Sequence, residues 1–236
     1  MEKLFEYGLA IGESRVHLKC DNKSAISVTV EEIKRHREDL VNYMKNHIEF
    51  RYSLKPVRVS ADAPPIIRIM AEAAEIADVG PMAAVAGALA DFGLEALRRN
   101  GSETALVEDG GEIAAYASQS LSVEVLSASQ TVSGKFGFLV TLDDSPLGIA
   151  TSSSKTGQAI SFGEADSVTI VADNAAVADA AATAVGNSVA GVGIDRSINL
   201  GLERAKTIRK VRGAVIIREG HTGLTGRLPK IIKIKE

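Results

Sequence analysis

Residues 148–187, GIATSSSKTGQAISFGEADSVTIVADNAAVADAAATAVGN, set four local textures end to end: a Thr-Ser-Ser-Ser turn, a glycine-bounded segment, a β run and an alanine-rich helix. The run Ser167–Ala172, SVTIVA, is almost continuously apolar or β-branched, the pattern of a strand covered on both faces. It is expected to be interior in a sheet. The helix after it has Asp173 or Asn174 as N-cap, strong helix formers through Ala184 and a stop at Gly186-Asn187. Its polar side chains are few. Asp179 and Thr183 stand four residues apart and share one helical face, an acid and a hydroxyl surrounded by alanine and valine.

Around this stretch, 236 residues with 45% hydrophobic and 24% charged composition give one large or two small globular domains. With no Trp and 4% aromatic residues, the core has to close by small-residue packing, which brings helices near sheets and leaves backbone accessible. The formal charge of -3 provides no overall field toward nucleic acid or an acidic membrane, so neither is expected as a partner. Cys20 is the single cysteine, which excludes an internal disulfide and a thiolate metal cluster within one chain. The opening MEKLFE has no apolar export core, and the longest run of small apolar residues, 83–90, is far short of the ~20 residues that span a bilayer. The expectation is a cytoplasmic protein.

Taken in order, Phe5–Ile11 and Ser14–Cys20 read as strands about a Gly12-Glu13 turn, with residues 25–30 as a third strand. A helix is expected over 31–46, with His36 and His47 as surface residues, then an irregular stretch over 50–63. Pro64-Pro65 opens a helix over 66–77, and Gly80-Pro81 restarts the chain into a helix over 82–99 that ends at Asn100-Gly101. Strands follow over 104–107, 113–117, 122–127 and 136–142, the last two separated by a turn containing Gly134. After the central stretch come a helix capped by Asp195 and running to Arg212, a strand over 214–218, a turn at His221-Thr222-Gly223 and a last strand over 230–235. No repeat and no low-complexity linker divides the chain, which predicts one compact mixed α+β domain over 1–236.

Common catalytic motifs are absent. Gly191-Val192-Gly193 leads to Arg196 where a dinucleotide fingerprint needs a third glycine, and Thr151, Ser154, Lys155 and Thr156 lack the spaced glycine of a P-loop. The acids of Glu108-Asp109-Gly110-Gly111-Glu112 suit a metal or ribose site because glycines let a ligand approach the backbone, but a solvent hairpin uses the same residues and is the preferred reading. The Thr151-Ser152-Ser153-Ser154 run offers donors for phosphate or is simply a turn. Asp179 with Thr183 either holds Mg²⁺, which accepts a carboxylate plus neutral oxygens, or is an ion-paired acid beside a helix-satisfied hydroxyl. The basic segment from Arg204 onward reads as a solvated face.

Three blocks in one order carry a resemblance. GPMAAVAGALAD over 80–91 holds Gly87 and Asp91, ALVEDGGEI over 105–113 holds Gly110-Gly111, and Ala150-Thr151-Ser152 is followed by the buried strand and the ADAAATA of 178–184. Together they resemble the ApbE-like superfamily, whose characterised members are FAD:protein FMN transferases, and look closest to a divergent branch of it. The resemblance covers about residues 80–187. It implies an ApbE-like mixed sheet with packed helices and a site in which Asp179 and Thr183 bind Mg²⁺. Gly87, Asp91, Gly110, Gly111, Thr151 and Ser152 would then take FAD or a related nucleotide. Ala86 stands where the family has a lysine, and Gln158 to Gly163 replaces its His-x-x-Asp-Pro-x-Thr-Gly segment. No catalytic residue is assigned. The implied function is flavin or nucleotide binding with Mg²⁺ and divergent FMN transfer, with a protein as candidate acceptor and a homo-oligomer as candidate assembly. The alternatives are a non-enzymatic interaction or assembly protein that keeps the fold, and a flavin or nucleotide pyrophosphate hydrolase.

Overall fold

A computed structural model describes residues 3–125, 136–152 and 163–234. Strands β1 (Phe5–Ile11) and β2 (Ser14–Cys20) form the expected hairpin, with Gly12 at φ +59 in its turn. Helix α1 (Ala25–Asn46) then corrects the third strand expected over 25–30. Ala25, Thr29, Ile33, His36 and Leu40 are all buried at helical spacing, so the stripe extends through the β-branched residues. Thr29 spends its hydroxyl on the carbonyl of Ala25, 2.9 Å away. Packing overrides β propensity there. His36 is likewise not a surface residue: it is 1% exposed and stacks on Phe92 with ring centroids 3.6 Å apart.

A short helix α2 (Ile48–Tyr52) interrupts the stretch expected to be irregular. Helix α3 (Pro65–Ala77) starts at its proline, and a 3₁₀ turn over Pro81–Ala84 leads into α4 (Val85–Arg99). Strands β3 (Thr104–Asp109) and β4 (Glu112–Ala117) meet in a two-residue turn, Gly110 at φ +68 and Gly111 at φ +114, the turn type that glycine favours. Strands β5 (Leu121–Glu124), β6 (Phe136–Val140), β7 (Leu147–Ser152) and β8 (Ser167–Ala172) precede α5 (Ala175–Ser188) and α6 (Ile194–Thr207). Strands β9 (Val211–Arg218), β10 (His221–Gly226) and β11 (Lys230–Lys233) complete the chain. Helix α6 thus ends before the expected Arg212, because β9 takes up that residue in the sheet. The turn expected at residues 221–223 lies instead at Glu219-Gly220, both with positive φ. Thr151 and Ser152 belong to the end of β7, while Ser153, Ser154, the Gly134 turn and Gln158 to Phe162 lie outside the described residues.

Eight strands pair antiparallel in the order β1-β2-β3-β4-β7-β8-β9-β10, and three more form a small sheet β11-β6-β5. Strand alternation splits the large sheet into two faces. Val107, Ala114, Ala150, Ile170 and Ile216 meet the helices, whereas Ile113, Ile149, Val171 and Val215 meet Leu121, Val123 and Phe138 of the small sheet. Every residue of β8 is buried, as the continuous apolar run requires. The result is one α+β domain. Among the described residues no single helix is long and apolar enough to cross a membrane.

Candidate functional site

Helix α5 is the element on which the site is built. Its first amides are tied down twice: Asn174 accepts from Val177 N at 2.9 Å, and the Asp91 carboxylate of α4 accepts from Ala175 N at 2.8 Å and Ala176 N at 2.9 Å. Asp91 is therefore a tertiary N-cap, and burial holds its carboxyl up at about 6 against those two hydrogen bonds. Gly87 lets α4 and α5 touch, since a Cβ there would sit 2.2 Å from the Ala175 carbonyl oxygen. One turn further along α5, the Gly87 N–H donates to Asp179 Oδ2 at 3.0 Å.

Two acids from the β3–β4 hairpin converge on this carboxylate. Asp109 alternates with Val107, and Glu112 with Ala114, so both side chains leave the sheet on the helix face. Asp109 is 2% exposed and its Oδ2 has no hydrogen-bond partner among the described residues. Burial raises Asp179 to about 7 from an ordinary 3.8, opposed by the Gly87 amide and assisted by Asp109 and Asp91. Burial, then the charges of Asp179 and Asp109, holds Glu112 well above the carboxylate range. Burial also raises Asp109, against hydrogen bonding at Ser14 and Arg15. The hairpin was legible in the sequence. Its reading as a solvent hairpin is corrected: Asp109 is buried, because the face that Val107 and Ala114 share packs under the helices and carries both acids inward.

Thr183, the next residue on the Asp179 face, makes no hydrogen bond among the described residues, in contrast to the back-bonded Thr29 and Ser188. Asp179 Oδ1 is also without a partner among the described residues. Thr183 lines a cavity of about 660 Å³ with Tyr52, Leu54, Lys55, Met82 and Arg204, a volume in the range of small-ligand sites. A smaller one of about 340 Å³ lies at the other end of α5, beside Asp91 and Asn174. Continuing the β4–β7 register, in which Ile113 faces Ile149, sets Thr151 and Ser152 level with the Gly110-Gly111 turn. Their side chains part there. Ser152 follows Ala150 to the helix face, whereas Thr151 follows Ile149 to the other face and bonds the Thr169 hydroxyl at 2.9 Å. Among the described residues no group of three or more His, Cys, Asp or Glu side chains is placed to hold a metal ion.

Residues 2–215 match the family described as AbpE bacteria. The chain belongs to this family. Membership thus takes in the β1–β2 hairpin and α1 as well as the blocks between residues 80 and 187. Among similar proteins, a UPF0280 protein of Methanococcus vannielii is 36% identical over 99% of this chain and 95% of its own. UPF0280 proteins of Methanocaldococcus jannaschii and Methanothermobacter thermautotrophicus are 36% and 37% identical, over 97% and 95% of this chain and 93% and 86% of theirs. Among solved structures, the flavin transferase ApbE of Vibrio cholerae superposes with a TM-score of 0.60 at 12% identity, over 95% of this chain and 97% of that one. The apo flavinyl transferase ApbE of Pseudomonas stutzeri gives 0.61 at 17%, over 95% and 94%, and the ApbE protein of Thermotoga maritima 0.62 at 12%, over 95% and 97%. At these identities the likeness is one of fold. The AbpE family chain therefore shares the architecture of the ApbE flavin transferases.

Proposed function

We propose that the α5 face carrying Asp179 and Thr183 binds FAD or a related nucleotide together with Mg²⁺, and that the protein is a divergent relative of enzymes that transfer FMN from FAD to a protein hydroxyl. One observation carries the reading: among the described residues the Thr183 hydroxyl and Asp179 Oδ1 have no hydrogen-bond partner and lie one turn apart on α5, and the threonine lines a nucleotide-sized cavity. These are the donors that suit a hard cation completing its shell with phosphate and water oxygens. When bound, the cation would neutralise pyrophosphate charge as the phosphoanhydride is cleaved.

The chain's own residues would do the rest. The Gly87 amide fixes the rotamer of Asp179. The Gly110-Gly111 turn brings bare backbone to the same end of the sheet, where Ser152 adds a hydroxyl. Tyr52, Leu54 and Met82 give the cavity an apolar wall for an aromatic ring, and Lys55 and Arg204 give it cations. Lys55 is paired with Asp78, and Arg204 donates to the Ala77 carbonyl, so both are held in place.

Calorimetric titration with FAD and with ADP, each in Mg²⁺ and in a chelator, tests the reading. Wild type should bind in Mg²⁺ only, Asp179→Asn should lose that binding while remaining folded, and Thr183→Val should weaken it less, because only a neutral ligand is removed. Equal, metal-independent binding by wild type and Asp179→Asn would remove the cation site. Binding of neither nucleotide by wild type would favour an interaction or assembly protein. Release of FMN and AMP without labelled protein would identify a hydrolase.

A further inference from the structure

The large sheet ends at β1, and among the described residues no strand pairs with that edge. Its seven residues, FEYGLAI, pair with β2 without a bulge and contain no proline, and of the devices that blunt natural edge strands they carry only the charge of Glu6. The Ile11–Ser14 pair closes a two-residue turn and is therefore a hydrogen-bonded pair, as are Leu9–Val16, Tyr7–Leu18 and Phe5–Cys20. By alternation, Glu6, Gly8 and Ala10 direct their N–H and C=O groups outward, and none of these has a partner among the described residues. We propose that a second copy of this chain pairs with this edge, β1 against β1 in antiparallel register about Gly8, joining two eight-stranded sheets into one.

That register satisfies three independent requirements. Gly8 opposes Gly8 and Glu6 opposes Ala10, the residues whose backbone groups point outward, which gives about six interchain hydrogen bonds. On the sheet face away from the helices, Ala10 is flanked by Arg15, an exposed guanidinium with no ion pair among the described residues. Across the small Ala10, Arg15 reaches Glu6 of the second copy, about 10 Å away between Cα atoms, and the two-fold axis makes this contact twice. Glu6 is already held ionised by its hydrogen bond and charge pairing with Lys19 at 2.8 Å, so it accepts a second cation. On the helix face, Leu9 and Ile11 of the second copy fall opposite Tyr7 and Phe5. There they cover Tyr7, 46% exposed, and enter the groove of about 640 Å³ between β1 and α1.

Sedimentation velocity of the full chain over a concentration series tests this. Wild type should show a concentration-dependent dimer. Gly8→Pro should be monomeric and remain folded, with a melting temperature that does not rise with protein concentration, because the N–H it removes points outward and edge strands tolerate proline. Glu6→Arg and Arg15→Glu should each weaken dimerisation about fivefold, and the double variant, which restores opposite charges, should recover it. A wild type that stays monomeric at every concentration, or a Gly8→Pro variant that dimerises as wild type does, overturns the proposal.

Discussion

Asp179 is held where an acid ionises reluctantly, and this has a measurable consequence. Between the ordinary carboxyl value of 3.8 and about 7, the folded chain retains a proton that the unfolded chain has released. Stability therefore falls as pH rises through that window, and Glu112, raised in the same direction, adds to the fall. Melting temperatures in chelator from about pH 5 to about pH 8 should decline more steeply for wild type than for Asp179→Asn. Mg²⁺ at the upper end should raise the wild-type value and leave the variant unmoved, because a cation stabilises only the site that keeps its charge. Parallel pH profiles with no Mg²⁺ effect would show that Asp179 is a structural acid. The residue itself was visible in the sequence as a lone carboxylate among alanines, and its partners were not. Asp109 and Glu112 are 70 and 67 positions away, and only the hairpin's inward face makes them neighbours.

At the level of elements, α5 depends on α4 for its first turn. Asp91→Ala removes acceptors from two amides at once and should cost about 1–3 kcal/mol in urea unfolding, since the Asn174 cap cannot reach those donors. A loss below a few tenths of a kcal/mol would mean that water satisfies them. The sequence marked α5, β8 and the β3–β4 hairpin correctly because each carries its own signal: a cap and stop, an unbroken apolar run, a pair of glycines. It misled at residues 25–30, where β-branched residues outvoted a helical stripe that becomes continuous only when His36 is counted as buried. It misled again at residues 208–212, where helix-compatible charges run on after α6. There the chain turns at Lys210, φ +69, and Val211 joins the sheet.

On the scale of the molecule, helices cover one face of the large sheet and the three-stranded sheet covers the other, with β11 near the C-terminus completing that second layer. Because the N-terminal hairpin, the central strands and the C-terminal strands share these cores, residues 1–236 should unfold as one unit. Tyrosine fluorescence and far-UV circular dichroism should give coincident urea transitions, and separated midpoints would divide the chain. The basic segment belongs to the same scale. Read as a solvated face, it is exposed at Lys206, Arg209, Arg227, Lys230 and Lys233, but it also supplies clamps: Arg218 is buried against Glu164 and Ser197, Arg212 binds Asp173 and two carbonyls, and Lys210 pairs with Glu72. The sequence by itself determined the α+β class, the interior strand, the small-residue core and the shared helical face of Asp179 and Thr183. Those depend on periods of two and four residues that local geometry enforces. Tertiary structure alone decided which face each acid occupies, that Asp91 caps a helix 84 residues away, that Thr151 turns from the acids while Ser152 stays with them, and that β1 is left as an open edge. Those outcomes depend on which strands become neighbours, and no local period encodes that.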